Sequence, residues 1–253
     1  MRLVRFRHGS RIATGTLEDD YVRPLRGTFF EDPVPTGEEV PRADVRLLAP
    51  VIPSKVVAVG RNYAEHAEEM GTDVPEEPVI FLKPSTAVIG SGDPIPYPAQ
   101  SVRVDHEGEL AVVIGRLARK VPTEEAGRFI LGFTCANDVT ARDLQLKDGQ
   151  WTRGKGFDGF CPLGPWVETE LDPTDLALEC RVNGATRQAA RTSQLVFGPS
   201  ELVSFVSSVM TLLPGDVILT GTPAGVGPMS VGDTVEVEVE GVGVLSNEVV
   251  AGG

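Results

Sequence analysis

The chain has 253 residues, with 36 acidic and 23 basic side chains and a formal charge of −13. That is enough length for a full core, and its field repels nucleic acid and anionic lipid. No apolar run approaches a membrane span, and the opening "MRLVRFRHGSRIATG" holds no apolar segment of signal-peptide length, so the expectation is a cytoplasmic protein with no membrane partner. Cys135, Cys161 and Cys180 form no CxxC pair, which favours buried reduced thiols over a disulfide framework or a zinc site.

Residues 1 to 50 read as a small N-terminal domain of short strands, "LVRFRH", "IATGTL" and "YVRPL", followed by a polar, Pro-containing loop. The main body, 51 to 253, opens at "LLAPVIPSKVVAVG" and is dominated by strands: "KVVAVG", "PVIFLK", "ELAVVIG", "GFTCANDV", "ALECRVNG", "DVILTG" and "DTVEVEVEG". Three helices are predicted, over "NYAEHAEEMG", "PTEEAGRFILG" and "PSELVSFVSSVMTLLPG", from their end signals and the spacing of Leu202, Phe205, Val206 and Val209. The fold class is therefore α+β, mostly β. The stretch "KDGQWTRGKGFDGF" is too rich in Gly and charge for core and reads as a long loop, a common place for function.

Within "VDHEGELAVVIG", Glu107 and Glu109 are two apart, so on one strand they would share a face at about 7 Å spacing. A solvated strand face explains such alternation equally well, as it does for Glu236, Glu238 and Glu240 of "VEVEVEG". The context differs, because Glu109 runs directly into the apolar "LAVVI", the pattern of a strand buried on both faces. Two ionised carboxylates about 4 Å apart repel by about 4 kcal/mol at an effective dielectric near 20, so a buried pair calls for a cation or a proton. Asp138, ending the apolar strand of "CANDVTARD", supplies a third acid. Carboxylates without His or Cys suit a hard ion, Mg²⁺ or Mn²⁺ ahead of Ca²⁺.

His66 and Glu69 stand three apart on a predicted helix, where the carboxylate can orient the ring as a proton-transfer dyad; an ordinary surface ion pair is the alternative. Lys155 lies between two glycines that allow close approach of a ligand, or is a solvated loop lysine. "LTGTPAGVGPM" follows an apolar strand with Thr222 and several glycines, a place for backbone amides to hold an anion; no GK[ST] follows, so it is not a P-loop. His8 reads as structural, as does His106, which could also support a metal ligand.

Together, "GRNYAEHAEEMG", "FLKP", "DHEGELAVVIG", "CANDVTARDLQ", "RGKGFDGFCPLGPW", "PGDVILTGTPAGVGPM" and "GVGVLSNEV" resemble, in order and spacing over about residues 55 to 250, the fumarylacetoacetate hydrolase family. The resemblance implies a mixed β-sandwich roll in a homodimer, with metal ligands at Glu107, Glu109 and Asp138. It also implies a catalytic dyad at His66 and Glu69, a substrate-binding lysine at Lys155, and substrate contacts at Thr222, Arg61 and Gln145. The first fifty residues match the pattern poorly.

A small anionic 2-oxo acid is the substrate this resemblance implies. The expected reaction is C–C bond cleavage, either hydrolysis of an acylpyruvate or decarboxylation of oxaloacetate through an enolate. Isomerisation of a 2-hydroxydienoate from aromatic-ring degradation is the alternative, and a non-catalytic 2-oxo acid-binding protein is the alternative of a different class.

Overall fold

In a computed structural model, residues 1–31 and 33–252 are described, and they form a mostly β molecule of the α+β class. Three sheets organise it. A 13-stranded sheet runs from the N-terminal strands Tyr21–Arg26, Arg11–Glu18 and Arg2–His8 through Cys161–Glu168, Ile130–Asn137 and Gly108–Ile114 to Val217–Leu219, Val56–Gly60 and Val79–Lys83. Facing it is a five-stranded sheet containing Gly243–Ala251, Thr234–Val239 and Ala177–Val182. The third sheet is small: Thr140–Ala141, Val104–His106 and Gly227–Met229.

The Gly108–Ile114 strand shows why the apolar run mattered. Every residue of it is buried, with Leu110, Val112 and Ile114 in the core between the two larger sheets and Ala111 and Val113 in a second cluster on the opposite face. Period-two alternation thus feeds two cores at once. Leu178, Cys180, Val235, Val237 and Leu245 meet the first core from the five-stranded sheet, and Leu202, Val203 and Val206 of helix Pro199–Val209 meet it from outside. Cys135, Cys161 and Cys180 are free and buried, as their spacing suggested.

The first fifty residues have a small core of their own, built from Val4, Phe6, Leu17, Val22, Val40, Val45 and Leu47. Their sheet is nevertheless continuous with the main one. Arg2 and Leu3 pair with Glu168 and Val167, and the Met1 ammonium reaches the Glu168 carboxylate.

Two expectations change. "PTEEAGRFILG" forms only a 3₁₀ run, Thr123–Phe129, because the chain must enter the Ile130–Asn137 strand at the next residue. The stretch read as a long loop instead carries a helix, Thr152–Lys155, close after Arg142–Asp148, and Gly154 and Lys155 are buried. Gly154 allows this, since a Cβ there would stand 2.9 Å from the Gln145 backbone nitrogen. Among the described residues, no helix is long and apolar enough to cross a membrane.

Candidate active site

Glu107 and Glu109 are not both strand residues. The chain leaves the small sheet at His106, breaks at Glu107, and resumes as the Gly108–Ile114 strand of the large sheet. The break is held on both sides: Asn137 Oδ1 accepts from Glu107 N at 2.9 Å, and Asp138 N donates to Glu107 O at 2.8 Å. At Gly108 a Cβ would meet Cys180 Cβ at 2.9 Å, so the bare backbone sits against the facing sheet. Asp138 follows directly on the Ile130–Asn137 strand. As a result, one carboxylate oxygen from each of Glu107, Glu109 and Asp138 lies within 4.8 Å of the others, and all three residues are buried.

Cations surround two of these acids. Lys155 Nζ donates to Glu107 Oε2 at 2.8 Å and to Asp138 Oδ2 at 2.7 Å, while Lys83, itself fully buried, donates to Asp138 Oδ1. Arg142 donates to the other Glu107 oxygen, to Asp105 Oδ2 at 2.9 Å and to Gln145 Oε1 at 2.6 Å. Burial alone would push the Glu107 carboxyl up, but Lys155 and Arg142 outweigh it and hold the group well below the usual carboxylate range. Among the described residues Glu109 has only the Gly221 N–H, at 2.6 Å. Burial, reinforced by the charges of Asp138 and Glu107, pushes its carboxyl well above the usual range.

His66 and Glu69 lie on the short helix Ala64–Glu69, with His66 Nδ1 3.1 Å from Glu69 Oε2. Glu69 also accepts from Gly225 N–H, at 3.1 and 3.2 Å to its two oxygens, which ties the helix to the glycine loop. His66, Arg61, Gln145, Lys155 and Thr222 all line one cavity of roughly 230 Å³ together with Glu107, Glu109 and Asp138. Glu69 stands behind His66. Thr222 Oγ1 is already engaged, donating to Gly108 O at 2.9 Å and accepting from Gln188 Nε2 at 2.7 Å. His106 is buried beside Gln188 Oε1 at 3.1 Å, and His8 is exposed on the N-terminal sheet.

A family model described as "Fumarylacetoacetate (FAA) hydrolase C-terminal" matches residues 55–250, and one described as "Rv2993c-like, N-terminal" matches residues 1–50. The chain belongs to the fumarylacetoacetate hydrolase family. Among its relatives is the bovine mitochondrial oxaloacetate tautomerase FAHD2A, 48% identical over 83% of this chain and 71% of that protein. A solved structure titled 5-carboxymethyl-2-hydroxymuconate delta-isomerase, from Mycobacterium smegmatis, superposes with a TM-score of 0.94 at 54% identity, covering 99% of this chain and all of the other (100%). Maleylpyruvate hydrolase from Sphingobium sp. SYK-6, solved with manganese(II) and pyruvate, gives a TM-score of 0.83 at 32% identity, with 100% of both chains covered.

In this member of the fumarylacetoacetate hydrolase family, the donor set fits a divalent ion. Three hard oxygen donors converge, and Glu109 is a buried acid that forms no ion pair among the described residues, the arrangement that Mg²⁺ or Mn²⁺ would complete. Glu107, Glu109 and Asp138 are the residues that could hold it.

Lys83, Arg142 and Asp105 escaped the residue-by-residue reading. Lys83 stood in view within "FLKP" as a lysine ending an apolar strand, and Arg142 stood within "CANDVTARDLQ". Charged residues in apolar surroundings are the available signal, since such groups stay buried only when paired. Trp151, Phe81, Met70 and Leu146, which form the apolar wall of the cavity, carry no local pattern that marks them.

Proposed function

We propose that this protein interconverts the keto and enol forms of a small anionic 2-oxo acid in a divalent-metal-dependent reaction, with oxaloacetate as the reference substrate. The observation that carries this reading is the placement of His66, oriented by Glu69, in the same small cavity as the carboxylate triad. A divalent cation on Glu107, Glu109 and Asp138 would supply Lewis acidity at the 2-oxo group and lower the cost of the enolate.

The protein's own groups account for the proton. Glu69 accepts the hydrogen bond from Nδ1–H, which fixes the tautomer and leaves Nε2 to take a proton from the carbon next to the 2-oxo group. As that C–H bond breaks, its electron pair becomes the C=C bond and the carbonyl pair moves to oxygen. His66 then passes that proton, directly or through water, to the enolate oxygen to complete the enol, and in the reverse direction it takes the enol proton and returns it to carbon. Lys155, beside Glu107 and Asp138, keeps positive charge near the developing oxyanion.

C–C cleavage, hydrolytic or decarboxylative, is the second reading, because the same histidine can activate water and the enolate is a common leaving fragment. The likeness to maleylpyruvate hydrolase favours its hydrolytic form. Isomerisation of a 2-hydroxydienoate is the same proton shift carried through one more double bond. The test is a panel of oxaloacetate and acetylpyruvate with Mg²⁺ or Mn²⁺, following enol absorbance, CO₂ and pyruvate separately. Fast enol decay without CO₂ or pyruvate is expected. Binding of oxalate without turnover of any member of the panel would point to the non-catalytic alternative. We propose further that the protein is a homodimer, which sedimentation velocity would check.

A further inference from the structure

We propose that Gln188 is the positioning residue of this site: its side-chain amide fixes Gly108, between two of the candidate metal ligands, and the Thr222 loop as one unit, so that ion and substrate binding both depend on it. The first half rests on the metal reading of Glu107, Glu109 and Asp138 above.

Gln188 lies on Ala185–Arg191, an edge strand of the five-stranded sheet, and is 1% exposed, while the other residues of that strand are exposed or half-buried. An apolar side chain would fill the position at less cost, because a buried amide is tolerated only when its hydrogen-bonding groups are satisfied. Here all four are. The Gly108 N–H can only donate and the Pro223 carbonyl can only accept, so the amide has one possible orientation: Oε1 accepts from Gly108 N at 2.9 Å, and Nε2 donates to Pro223 O at 2.8 Å. The other two bonds follow. His106 must donate through Nδ1, 3.1 Å from Oε1, and Thr222 Oγ1 must accept the second N–H, at 2.7 Å. The proton of the Thr222 hydroxyl therefore goes to Gly108 O, at 2.9 Å.

Gln188 and Thr222 thus hold both the N–H and the C=O of Gly108, the residue that separates Glu107 from Glu109. These groups belong to the two peptide planes that carry the glutamates toward Asp138, so the angle between the two ligands is set from the facing sheet. The same strand reaches the dyad. A Cβ at Gly225 would stand 2.2 Å from Arg187 O, so the glycine loop is seated on the strand one residue before Gln188, and Gly225 N–H is the group that bonds Glu69. One buried amide in this way ties the ligand turn to the loop that borders the cavity and steadies the dyad, in surroundings where an unmade bond is expensive. An apolar residue in its place would orphan the Gly108 N–H and the Pro223 carbonyl and release the Thr222 hydroxyl.

The test measures Mg²⁺ binding alone, and oxalate binding to the Mg²⁺-loaded protein, by calorimetry. Gln188→Met, similar in volume and unable to make these bonds, should weaken Mg²⁺ binding by about 10- to 100-fold, the usual effect of removing a group that orients metal ligands. Gln188→Glu keeps an acceptor for Gly108 N–H and His106 but loses the amide donors. It should retain more of the Mg²⁺ affinity than Gln188→Met while oxalate binding falls by about tenfold, the scale of one hydrogen bond; it also decides the matter if Gln188→Met does not fold. Asn247→Leu is the control for simple loosening of the sheet. Asn247 is likewise a buried amide of the five-stranded sheet, but it donates to Gly90 O and Asp93 O, both at 2.8 Å, away from the site. That variant should melt earlier and bind Mg²⁺ and oxalate as the wild type does. Wild-type affinities in both Gln188 variants, or equal losses in Asn247→Leu, would overturn the assignment. A wild-type protein that binds neither Mg²⁺ nor Mn²⁺ would instead remove the metal reading, and this inference with it. Binding that depends on Gln188 without turnover of any 2-oxo acid would sink the proposed reaction and leave the positioning by Gln188 standing.

Discussion

Two stretches of this chain alternate glutamate with other residues, and they reach opposite ends. Glu236 and Glu238 on the Thr234–Val239 strand are half-exposed, and both bond to Arg181 on the neighbouring strand, at 3.3 and 2.8 Å. Glu107 and Glu109 are buried where one strand hands over to another, and only Glu107 has cations. In the first stretch water and a shared arginine relieve the charge. In the second, relief is incomplete, and the residual demand for a cation is what makes the cluster a candidate metal site.

The sharpest test of that contrast is Glu109→Ala, which should abolish metal-dependent turnover and metal binding by calorimetry. Full activity in the variant after chelation would remove the site. Next, His66→Ala should lower turnover by about 10²- to 10⁴-fold while metal affinity is kept, the usual worth of a positioned acid–base group. Equal loss of metal binding would make His66 structural instead. Lys83→Met should destabilise the fold by about 3–5 kcal/mol in denaturant titration, because it strands the buried Asp138 carboxylate. A variant as stable as the parent would show that Asp138 needs no partner beyond Lys155.

Titration gives a smaller effect of definite sign. Glu109 in the folded chain holds its proton to higher pH than in the unfolded chain. Without metal, stability should therefore fall as pH rises from the ordinary carboxylate range to the raised folded value. Melting temperatures in chelator should show that slope, and Glu109→Gln, or added Mg²⁺, should flatten it. The least effect is expected at the control stretch, where Glu238→Ala should change stability by no more than about 1 kcal/mol, as for other exposed pairs. A larger loss would mean that Arg181 is not so easily satisfied.

The helices show where local pattern reading reached its limit. Pro199–Val209 was legible because its Leu202 and Val206 follow the helical period and Pro opens it. Thr152–Lys155 was not, since four residues with a glycine among them and another directly after have no period to read and are held in place by packing against Gln145. For the same reason Lys155 could be singled out as a candidate, while its burial between Glu107 and Asp138 had no local signature.

By itself the sequence determined the mostly β class and a strand buried on both faces at "LAVVI", and it singled out Glu107, Glu109 and Asp138 as acids to weigh together, because alternation and uninterrupted apolar runs are properties of neighbouring residues. Only the tertiary structure decided that Glu107 breaks the strand, that Lys83 and Arg142 serve the same cluster, and that Arg61 lines the cavity without an acid partner among the described residues. Those facts depend on distances between segments far apart in the chain, and a charge's meaning is set by what lies within a few ångströms of it.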